Sequence, residues 1–254
     1  MKKNILLTFS IGLLVGILTG ACVPLVISQM ATVPELVLPS PAIHRTAYSL
    51  SYDSQHRNPN WVYEYLTSNS CSGTQDRSKF EFQADPLLPD HLQANNVDFR
   101  GSGFDRGHLC PAGDWKNESM AETFYLSNVS PQLPEFNRGY WLGLEKHVRN
   151  LTNQYSGLHI FTGPLYLPHQ ESDGKFYVKY QVIGEDFVAV PTHFFKVIFM
   201  EKEIGITSEA AYILPNEAID EQTPLEKFKT TVEKVEKLAG FIFRKDLRSP
   251  IRTP

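Results

Sequence analysis

Cysteine is scarce in this chain of 254 residues, and the few cysteines form no pattern. Cys22 lies in an apolar N-terminal segment, which leaves only Cys71 and Cys110 for the rest of the chain. Two cysteines at this separation indicate neither a disulfide framework nor a zinc-binding spacing. A single disulfide between them and two free thiols are both compatible with the sequence.

A general excess of positive charge is also absent. The 24 basic and 28 acidic side chains give a formal net charge of -4. The overall charge therefore does not indicate a nucleic-acid partner, and any attraction for phosphate must be local. No segment recurs along the chain, which excludes a solenoid or a propeller. Length and composition are those of a globular protein with one main domain.

The N-terminus carries a long apolar run over residues 5–27, with no charged residue between Lys3 and Glu35. A charged start followed by such a run predicts a targeting segment, residues 1–30. A cleaved signal peptide, a lipoprotein signal ending at Cys22 and an uncleaved membrane anchor are all open. A mitochondrial presequence is less favoured, because the segment has no arginine and no polar face. We expect an exported protein, either periplasmic or membrane-anchored and facing away from the cytoplasm.

The remaining chain has the pattern of a linker followed by one folded domain. Residues 31–42 are rich in proline and predict a linker, and the folded domain is expected over residues 43–254. Hydrophobic patterning predicts strands over residues 48–52, 61–66, 158–165, 176–183, 189–200 and 211–214, and helices over residues 138–152 and 225–238. The predicted fold class is α+β, with a central antiparallel sheet and helices packed on it.

Chemically capable side chains are densest at Asp105–His108, where an acid, a fixed cation and a base fall within four positions. Strand alternation would place Arg106 and His108 on one face, and Gly107 would allow a ligand close to the backbone. Histidine is suited to take a proton from water, and arginine matches phosphate oxygens. Taken alone, these four residues favour a polar surface turn in which Asp105 and Arg106 pair.

The context of this cluster changes that interpretation. A second strand is predicted over residues 124–129, and Asn137 begins the predicted helix over residues 138–152. Strand, strand and helix in this order are the layout of a ββα-metal finger, in which a histidine on the first strand faces a metal ligand on the helix.

Further blocks carry a family resemblance that spans residues 47–243. They are residues 101–109, 123–132, Asn137 with 141–145, 162–165, 173–184 and 190–196. On these blocks the chain resembles the DNA/RNA non-specific endonuclease family. The resemblance implies a ββα-metal finger enzyme that hydrolyses phosphodiester bonds of DNA and RNA with a divalent cation and leaves 5′-phosphate ends. It also implies a homodimer.

The resemblance also assigns roles to residues. His108 corresponds to the general base, Asn137 to the family's only direct protein ligand to the metal, and Glu145 to a carboxylate that acts on water held there. Arg106 and Arg77 correspond to arginines that contact phosphate. Mg²⁺ is the favoured cation because it keeps several waters and prefers oxygen ligands, and Mn²⁺ suits the same ligands.

Two points qualify this picture. Asn137 and Glu145 would lie roughly 12 Å apart along a regular helix, so we expect Glu145 to act through water rather than on the metal directly. Cys110-Pro111 and Arg138-Gly139 depart from the family pattern and could alter the groove or the choice of metal.

Two functions from other classes compete with the nuclease. One is a catalytically silent DNA-binding or DNA-uptake protein of the cell envelope on the same fold, and the other is a structural envelope lipoprotein. The complete set of His108, Arg106, Asn137 and Glu145 argues against the first, and only Cys22 suggests the second. Membrane attachment through the N-terminal segment is compatible with each of the three functions.

Overall fold

The structure is a computed structural model that describes residues 35–36, 42–203 and 205–245. The predicted targeting segment, residues 1–30, lies outside the described residues. Within the described ranges, no helix has the length and apolar character needed to cross a bilayer.

The described residues contain strands, α-helices and short helical turns. The strands are β1 (Glu35–Leu36), β2 (Ile43–His44), β3 (Ser49–Asp53), β4 (Asn58–Leu66), β5 (Asp105–His108), β6 (Val129–Gln132), β7 (Gly157–Leu165), β8 (His169–Gln170), β9 (Phe176–Tyr177), β10 (Val182–Ile183), β11 (Val188–Ala189), β12 (His193–Lys202), β13 (Gly205–Pro215), β14 (Lys229–Thr230) and β15 (Arg244–Lys245). The α-helices are α1 (Asn96–Phe99), α2 (Leu142–Leu151) and α3 (Val232–Ala239). A π-helical turn spans Phe136–Trp141, and 3-10 turns span Arg77–Lys79, Asp90–Leu92, Ala112–Asp114, Glu118–Phe124, Leu126–Asn128 and Leu225–Phe228.

The largest sheet has seven strands in the order β14-β13-β12-β7-β4-β3-β2, and all neighbours are antiparallel. The predicted central antiparallel sheet is therefore confirmed. Strands β3 and β4 form a hairpin, and Asn58–Asn60, whose composition is typical of a turn, belongs to β4. Pro59 is accommodated because it pairs with Tyr52 beside a register shift, where the regular ladder is already interrupted.

Strand β12 lies inside the sheet and is buried on both faces. Phe194 and Ile198 pack on one face in a cluster with Trp141, while Phe195 and Phe199 pack on the other face in a cluster with α3. Alternate residues of a strand point to opposite faces, so this one apolar segment supports both layers. The helix α2 and the finger strands occupy the first layer.

Two predicted boundaries are wrong for identifiable reasons. The helix expected over residues 225–238 begins only at Val232, because Lys229–Thr230 pairs with β13 and the Thr231 side chain accepts a hydrogen bond from the Lys234 amide at 3.2 Å. The strand expected over residues 176–183 is split into β9 and β10, with exposed residues between them.

The close packing of β7 against its neighbours gives a test of this fold. At Gly163 an added Cβ would lie 2.7 Å from the Asn60 carbonyl oxygen and 2.6 Å from the Phe195 ring. We expect Gly163→Ala to lower the free energy of unfolding by roughly 1–3 kcal/mol, measured by urea denaturation. Gly143→Ala is the control, because its Cβ would meet nothing within 4 Å on exposed α2. That variant should gain about 0.5–1 kcal/mol. Equal effects of both substitutions would contradict the packing described here.

Candidate active site

The finger begins with two short antiparallel strands, β5 and β6, in which His108 pairs with Val129 and Asp105 with Gln132. The second strand starts later than predicted, because most of residues 124–129 form 3-10 turns. Asn128 ties these turns to the end of β5. Its Nδ2 donates to the carbonyl oxygens of Cys110 and Thr123, both at 2.9 Å, and its Oδ1 accepts from the Cys110 amide at 2.9 Å.

Gly107 has a structural role that differs from the expected one. A Cβ at this position would lie 2.3 Å from the side chain of Gln132 on the paired strand. The glycine therefore lets β5 and β6 approach each other around a buried glutamine. Glycine is required at position 107 by the Gln132 side chain, and not by the expected approach of a ligand to the backbone.

A π-helical turn, Phe136–Trp141, carries Asn137 into the site. The backbone N–H of Asn137 donates to the Leu133 carbonyl oxygen at 2.8 Å, and Gly139 has non-helical angles of φ -99 and ψ -108. Asn137 therefore precedes α2 and is not on one continuous helix with Glu145. The separation expected for one regular helix therefore does not apply to them, because the chain bends at Gly139, and both side chains line the same groove.

The groove has a volume of about 620 Å³ and collects all five predicted site residues. It is lined by Gln75, Asp76, Arg77, Phe82, Asp105, Arg106, His108, Pro111, Ala112, Gly113, Lys116, Met120, Asn137, Arg138, Leu142, Glu145 and Arg149. Five of these side chains are basic and three are acidic. The groove is thus locally positive although the whole chain is negative. This local charge can attract phosphate, which the overall charge cannot do.

His108 is buried at the base of the groove between two aromatic rings. Its ring centroid lies 5.0 Å from that of Phe82 and 5.1 Å from that of Phe124. Burial, aided by the positive charge of Arg77, lowers the pKa of His108 to about 3. The imidazole is therefore neutral at pH 7. Its Nε2 is buried and has no hydrogen-bond partner among the described residues, so the ring retains an unused polar atom.

Asp105 connects β5 to the turn that carries Asn137. Its Oδ2 accepts from Asn137 Nδ2 at 2.9 Å and from Arg138 Nε at 2.7 Å, while its Oδ1 accepts from Arg138 Nη2 at 2.5 Å. Burial opposes ionisation, but the donors on Arg138 and Asn137 outweigh it and hold the pKa of Asp105 below its usual range. The carboxylate is therefore an acceptor at neutral pH.

The donor set of this groove fits a hard, hydrated divalent cation. The Asn137 amide gives its nitrogen to Asp105, and its Oδ1 receives no hydrogen bond from the described residues. An unused amide oxygen and the carboxylate of Glu145, which line the same groove, are the oxygen ligands that Mg²⁺ prefers. No group of three or more His, Cys, Asp or Glu that could hold a metal occurs within residues 35–36, 42–203 and 205–245.

The cations of the groove differ in how they are held. Arg106 donates to Asn96 Oδ1 at 3.0 Å, and its guanidinium lies 5.1 Å from the centre of the Phe82 ring. Arg149 is paired with buried Asp114 at 3.0 Å. Arg149 and Lys116 were not predicted. Arg149 could have been found because it lies four residues after Glu145, on the same face of α2.

Glu145 is held in an environment that resists its charge. Burial raises the pKa of Glu145 to about 7, although the positive charge of Lys196 acts in the opposite direction. The carboxyl group is therefore close to the midpoint of its titration at neutral pH. A cation in the groove would favour the ionised form.

Cys71 and Cys110 are both free thiols, so the single disulfide left open by the sequence is not formed. Burial is the main cause that raises the pKa of Cys110, and hydrogen bonding of its Sγ to Glu64 Oε2 at 3.3 Å adds to this effect. The thiol behind β5 is consequently protonated and unreactive at neutral pH.

Two strands and a helical turn that bring a histidine and an asparagine to one groove define a ββα-metal finger. The family model for DNA/RNA non-specific endonucleases matches residues 34–249. The chain belongs to this family.

Several known proteins are similar over most of the chain. Endonuclease G, mitochondrial, from Homo sapiens is 46% identical over 201 residues, which are 78% of this chain and 68% of that protein. Nuclease EXOG, mitochondrial, from Mus musculus is 43% identical over 203 residues, 78% of this chain and 55% of that protein. Nuclease C1 from Cunninghamella echinulata var. echinulata is 45% identical over 206 residues, 79% of this chain and 81% of that protein.

The fold also has a solved counterpart. The crystal structure of the EndoG/EndoGI complex contains a chain that matches this structure with a TM-score of 0.77 and 46% sequence identity, covering 80% of this chain and 84% of that one. The α+β fold with a finger active site, as predicted from the sequence, is confirmed by this likeness.

The comparisons contradict the expected localisation. Endonuclease G from Homo sapiens and Bos taurus and nuclease EXOG from Mus musculus and Danio rerio are all named as mitochondrial proteins. The prediction of an exported protein, periplasmic or anchored facing away from the cytoplasm, is therefore wrong. It rested on the composition of residues 1–30, which distinguishes poorly between the membranes that a targeting segment can address.

The burial of His108 predicts a pH dependence of stability. Its pKa is lowered from the unfolded value near 6.5 to about 3, so the unfolded chain binds the proton more readily. The associated stability is complete above about pH 6.5 and is lost as pH falls toward 3. The free energy of unfolding of the wild type should decrease between about pH 6.5 and pH 4, as measured by urea unfolding. We expect His108→Gln to remove up to about 3 kcal/mol of this decrease. Parallel pH curves for the two proteins would show that the folded state does not resist the charged imidazole.

Proposed function

We propose that this protein is a metal-dependent endonuclease that hydrolyses phosphodiester bonds of DNA and RNA and leaves 5′-phosphate ends. The observation that carries the proposal is the groove itself. A neutral, buried histidine, an asparagine with an unused amide oxygen and a surplus of cations line one cavity. The family membership and the names of the relatives support the same reaction.

His108 is the general base in this proposal. A pKa of about 3 makes the resting ring a weak base, because an imidazolium would be buried without a counter-charge. A phosphodiester anion beside the ring supplies that counter-charge and raises its proton affinity. His108 then takes a proton from the water that attacks phosphorus in line with the departing oxygen.

Arg106 and Arg77 bind the phosphate in this scheme. Arg106 is braced by Asn96 and by the Phe82 ring, so its planar fork has a defined direction. Arg77 lies in an exposed turn that lines the groove and contributes a solvent-exposed charge. Contacts to phosphate carry no sequence information and tolerate either sugar, so cleavage with little preference for sequence, DNA or RNA follows.

Asn137 would hold the divalent cation through Oδ1, and Glu145 would act through intervening water. Mg²⁺ is the proposed cation, and Mn²⁺ suits the same oxygen donors. Such an ion, when bound, stabilises the charge that develops on the phosphorane and the leaving oxygen. One neutral protein ligand leaves that ion with its full charge.

Cleavage of supercoiled plasmid and of structured RNA tests this function directly. The folded protein with Mg²⁺ should degrade both substrates, and EDTA should stop the reaction. His108→Ala and Asn137→Ala should each lower the rate on the order of 10²–10⁴-fold, since each removes a group that acts on the reacting atoms.

His147→Ala is the matched control, because this histidine lies on α2 but outside the groove and should leave the rate unchanged. A folded wild-type protein that cleaves neither substrate with any of several divalent cations would remove the enzyme proposal. Binding of plasmid without cleavage would then favour the catalytically silent DNA-binding protein.

A homodimer is the second part of the proposal. Residues 169–187, here called the arm, expose an unusual number of large apolar side chains, namely Phe176, Tyr177, Val178, Tyr180, Val182 and Phe187. Such a patch next to the short hairpin of β8 and β9 suits burial against an identical patch on a second copy.

The arm gives a specific test of dimerisation. Val178 is 50% exposed within it, so Val178→Asp should convert a dimer to a monomer, as measured by light scattering coupled to size-exclusion chromatography. Val97→Asp is the control, because Val97 is 60% exposed but lies outside the arm. A wild-type monomer would contradict the proposed assembly, and a dimer that survives Val178→Asp would contradict the proposed surface.

The organisation of the whole chain completes the proposal. Residues 1–30 act as a targeting segment, with membrane attachment as one form of it, residues 31–42 are a linker and residues 43–254 form the nuclease domain. The mitochondrial names of several relatives make the mitochondrion the destination that best agrees with them.

A further inference from the structure

Asp105 is the one acidic side chain of the finger strands that contacts the turn of Asn137. Its carboxylate is mostly buried, with 17% of the side chain exposed, and it receives three hydrogen bonds from Asn137 and Arg138. These bonds join β5 to the turn that carries Asn137, and Asp105 and Asn137 are 32 residues apart in the sequence. Asp105 therefore determines how the two halves of the site face each other.

The chemistry of this contact fixes the orientation of the Asn137 amide. A carboxylate that accepts a bidentate pair from arginine offers only acceptors to its other neighbours. The amide atom facing Asp105 at 2.9 Å must then be the nitrogen, because an oxygen there would place two acceptors in contact. The amide oxygen consequently points away from Asp105.

Arg138 is the partner that keeps Asp105 in this arrangement. Its Nε and Nη2 occupy both carboxylate oxygens, at 2.7 and 2.5 Å, although 72% of the Arg138 side chain is exposed. A carboxylate engaged in this way has little capacity left for a cation. The ion pair has no net charge, and it leaves the Asn137 amide oxygen as the unengaged oxygen on the turn.

We propose that Asp105 is a positioning residue for the divalent cation: it turns the Asn137 amide so that Oδ1 faces the groove, and Arg138 prevents it from acting as a ligand itself. The inference rests on the proposed function, because it takes Asn137 as the residue that binds the cation. It adds a reason for the acid in Asp105–His108 and for the arginine that follows Asn137.

Binding of Mn²⁺ to the nucleic-acid-free protein, followed by the electron paramagnetic resonance of the free ion, tests the inference without any turnover. Asp105→Asn keeps the size of the side chain but offers both a donor and an acceptor, so the Asn137 amide can adopt either orientation. We expect the Kd for Mn²⁺ to rise by on the order of 10-fold, the usual effect of losing a residue that orients a ligand. At saturating Mn²⁺ the variant should recover most of the wild-type kcat.

The loss of one negative charge could also weaken binding of a cation, and a double variant separates the two causes. Asp105→Asn with Arg138→Gln restores the net charge of the wild-type site. If orientation is the cause, the double variant stays as weak as Asp105→Asn. If it binds Mn²⁺ as the wild type does, the effect is electrostatic and the inference is overturned.

Two further comparisons complete the design. Thermal unfolding midpoints report whether each variant folds, and Asp105→Ser, which also lacks an ionised acceptor, replaces Asp105→Asn if that variant does not. An unchanged Kd in a folded Asp105 variant overturns the inference. If Asn137→Ala also leaves the Kd for Mn²⁺ unchanged, the proposed metal site is wrong. If Asn137→Ala raises the Kd but the Asp105 variant does not, Asn137 remains the proposed ligand and only the role of Asp105 is removed.

Discussion

The burial of two aromatic side chains at the ends of one helical turn fixes the active site to the sheet. Phe136 and Trp141 are fully buried, with ring centroids 5.3 Å apart, and both pack on Phe194 of strand β12 at 5.8 and 5.7 Å. Replacing a buried Phe or Trp by Ala lowers the free energy of unfolding by roughly 3–5 kcal/mol. Asn137 follows Phe136 directly, so the packing of the core places the polar end of the turn in the groove.

The same layer of the core also shapes the electrostatics of the groove. Lys196 projects from β12 into this layer, where its Nζ donates to Thr162 Oγ1 at 2.6 Å and lies 5.1 Å from the centre of the Trp141 ring. A buried ammonium group is tolerated when it has a hydrogen bond and an aromatic face beside it. Its charge opposes the effect of burial on Glu145, which would otherwise be still harder to ionise.

The sequence predicted the parts of this site that depend on local order and on residue chemistry. Strand, strand and helical turn followed from the positions of His108 and Asn137 relative to apolar segments, and the groove unites all five predicted residues. The central antiparallel sheet followed from the alternating apolar runs that became β4, β7 and β12.

Other features depend on contacts between distant residues and left no local signal. The pairing of Asp105 with Arg138 spans 33 positions, and neither residue type indicates the other as its partner. The late start of α3 follows from the pairing of Lys229–Thr230 with β13, which helical periodicity does not reveal. Residues 58–60 have a composition typical of a turn, yet they form the first part of strand β4. Tertiary pairing outweighs local propensity in each of these cases.

Burial disfavours the charged forms of two side chains in the groove, His108 and Glu145, when neither phosphate nor cation is bound. Burial keeps His108 neutral, with its pKa near 3, and holds Glu145 near its midpoint, with its pKa near 7. A phosphate anion raises the proton affinity of the histidine, and a divalent cation favours the ionised carboxylate. Phosphate and cation also attract each other, so each improves the site for the other. In the proposed mechanism the phosphate therefore makes His108, which is already neutral, a stronger base, and the cation shifts the half-ionised Glu145 toward its carboxylate form.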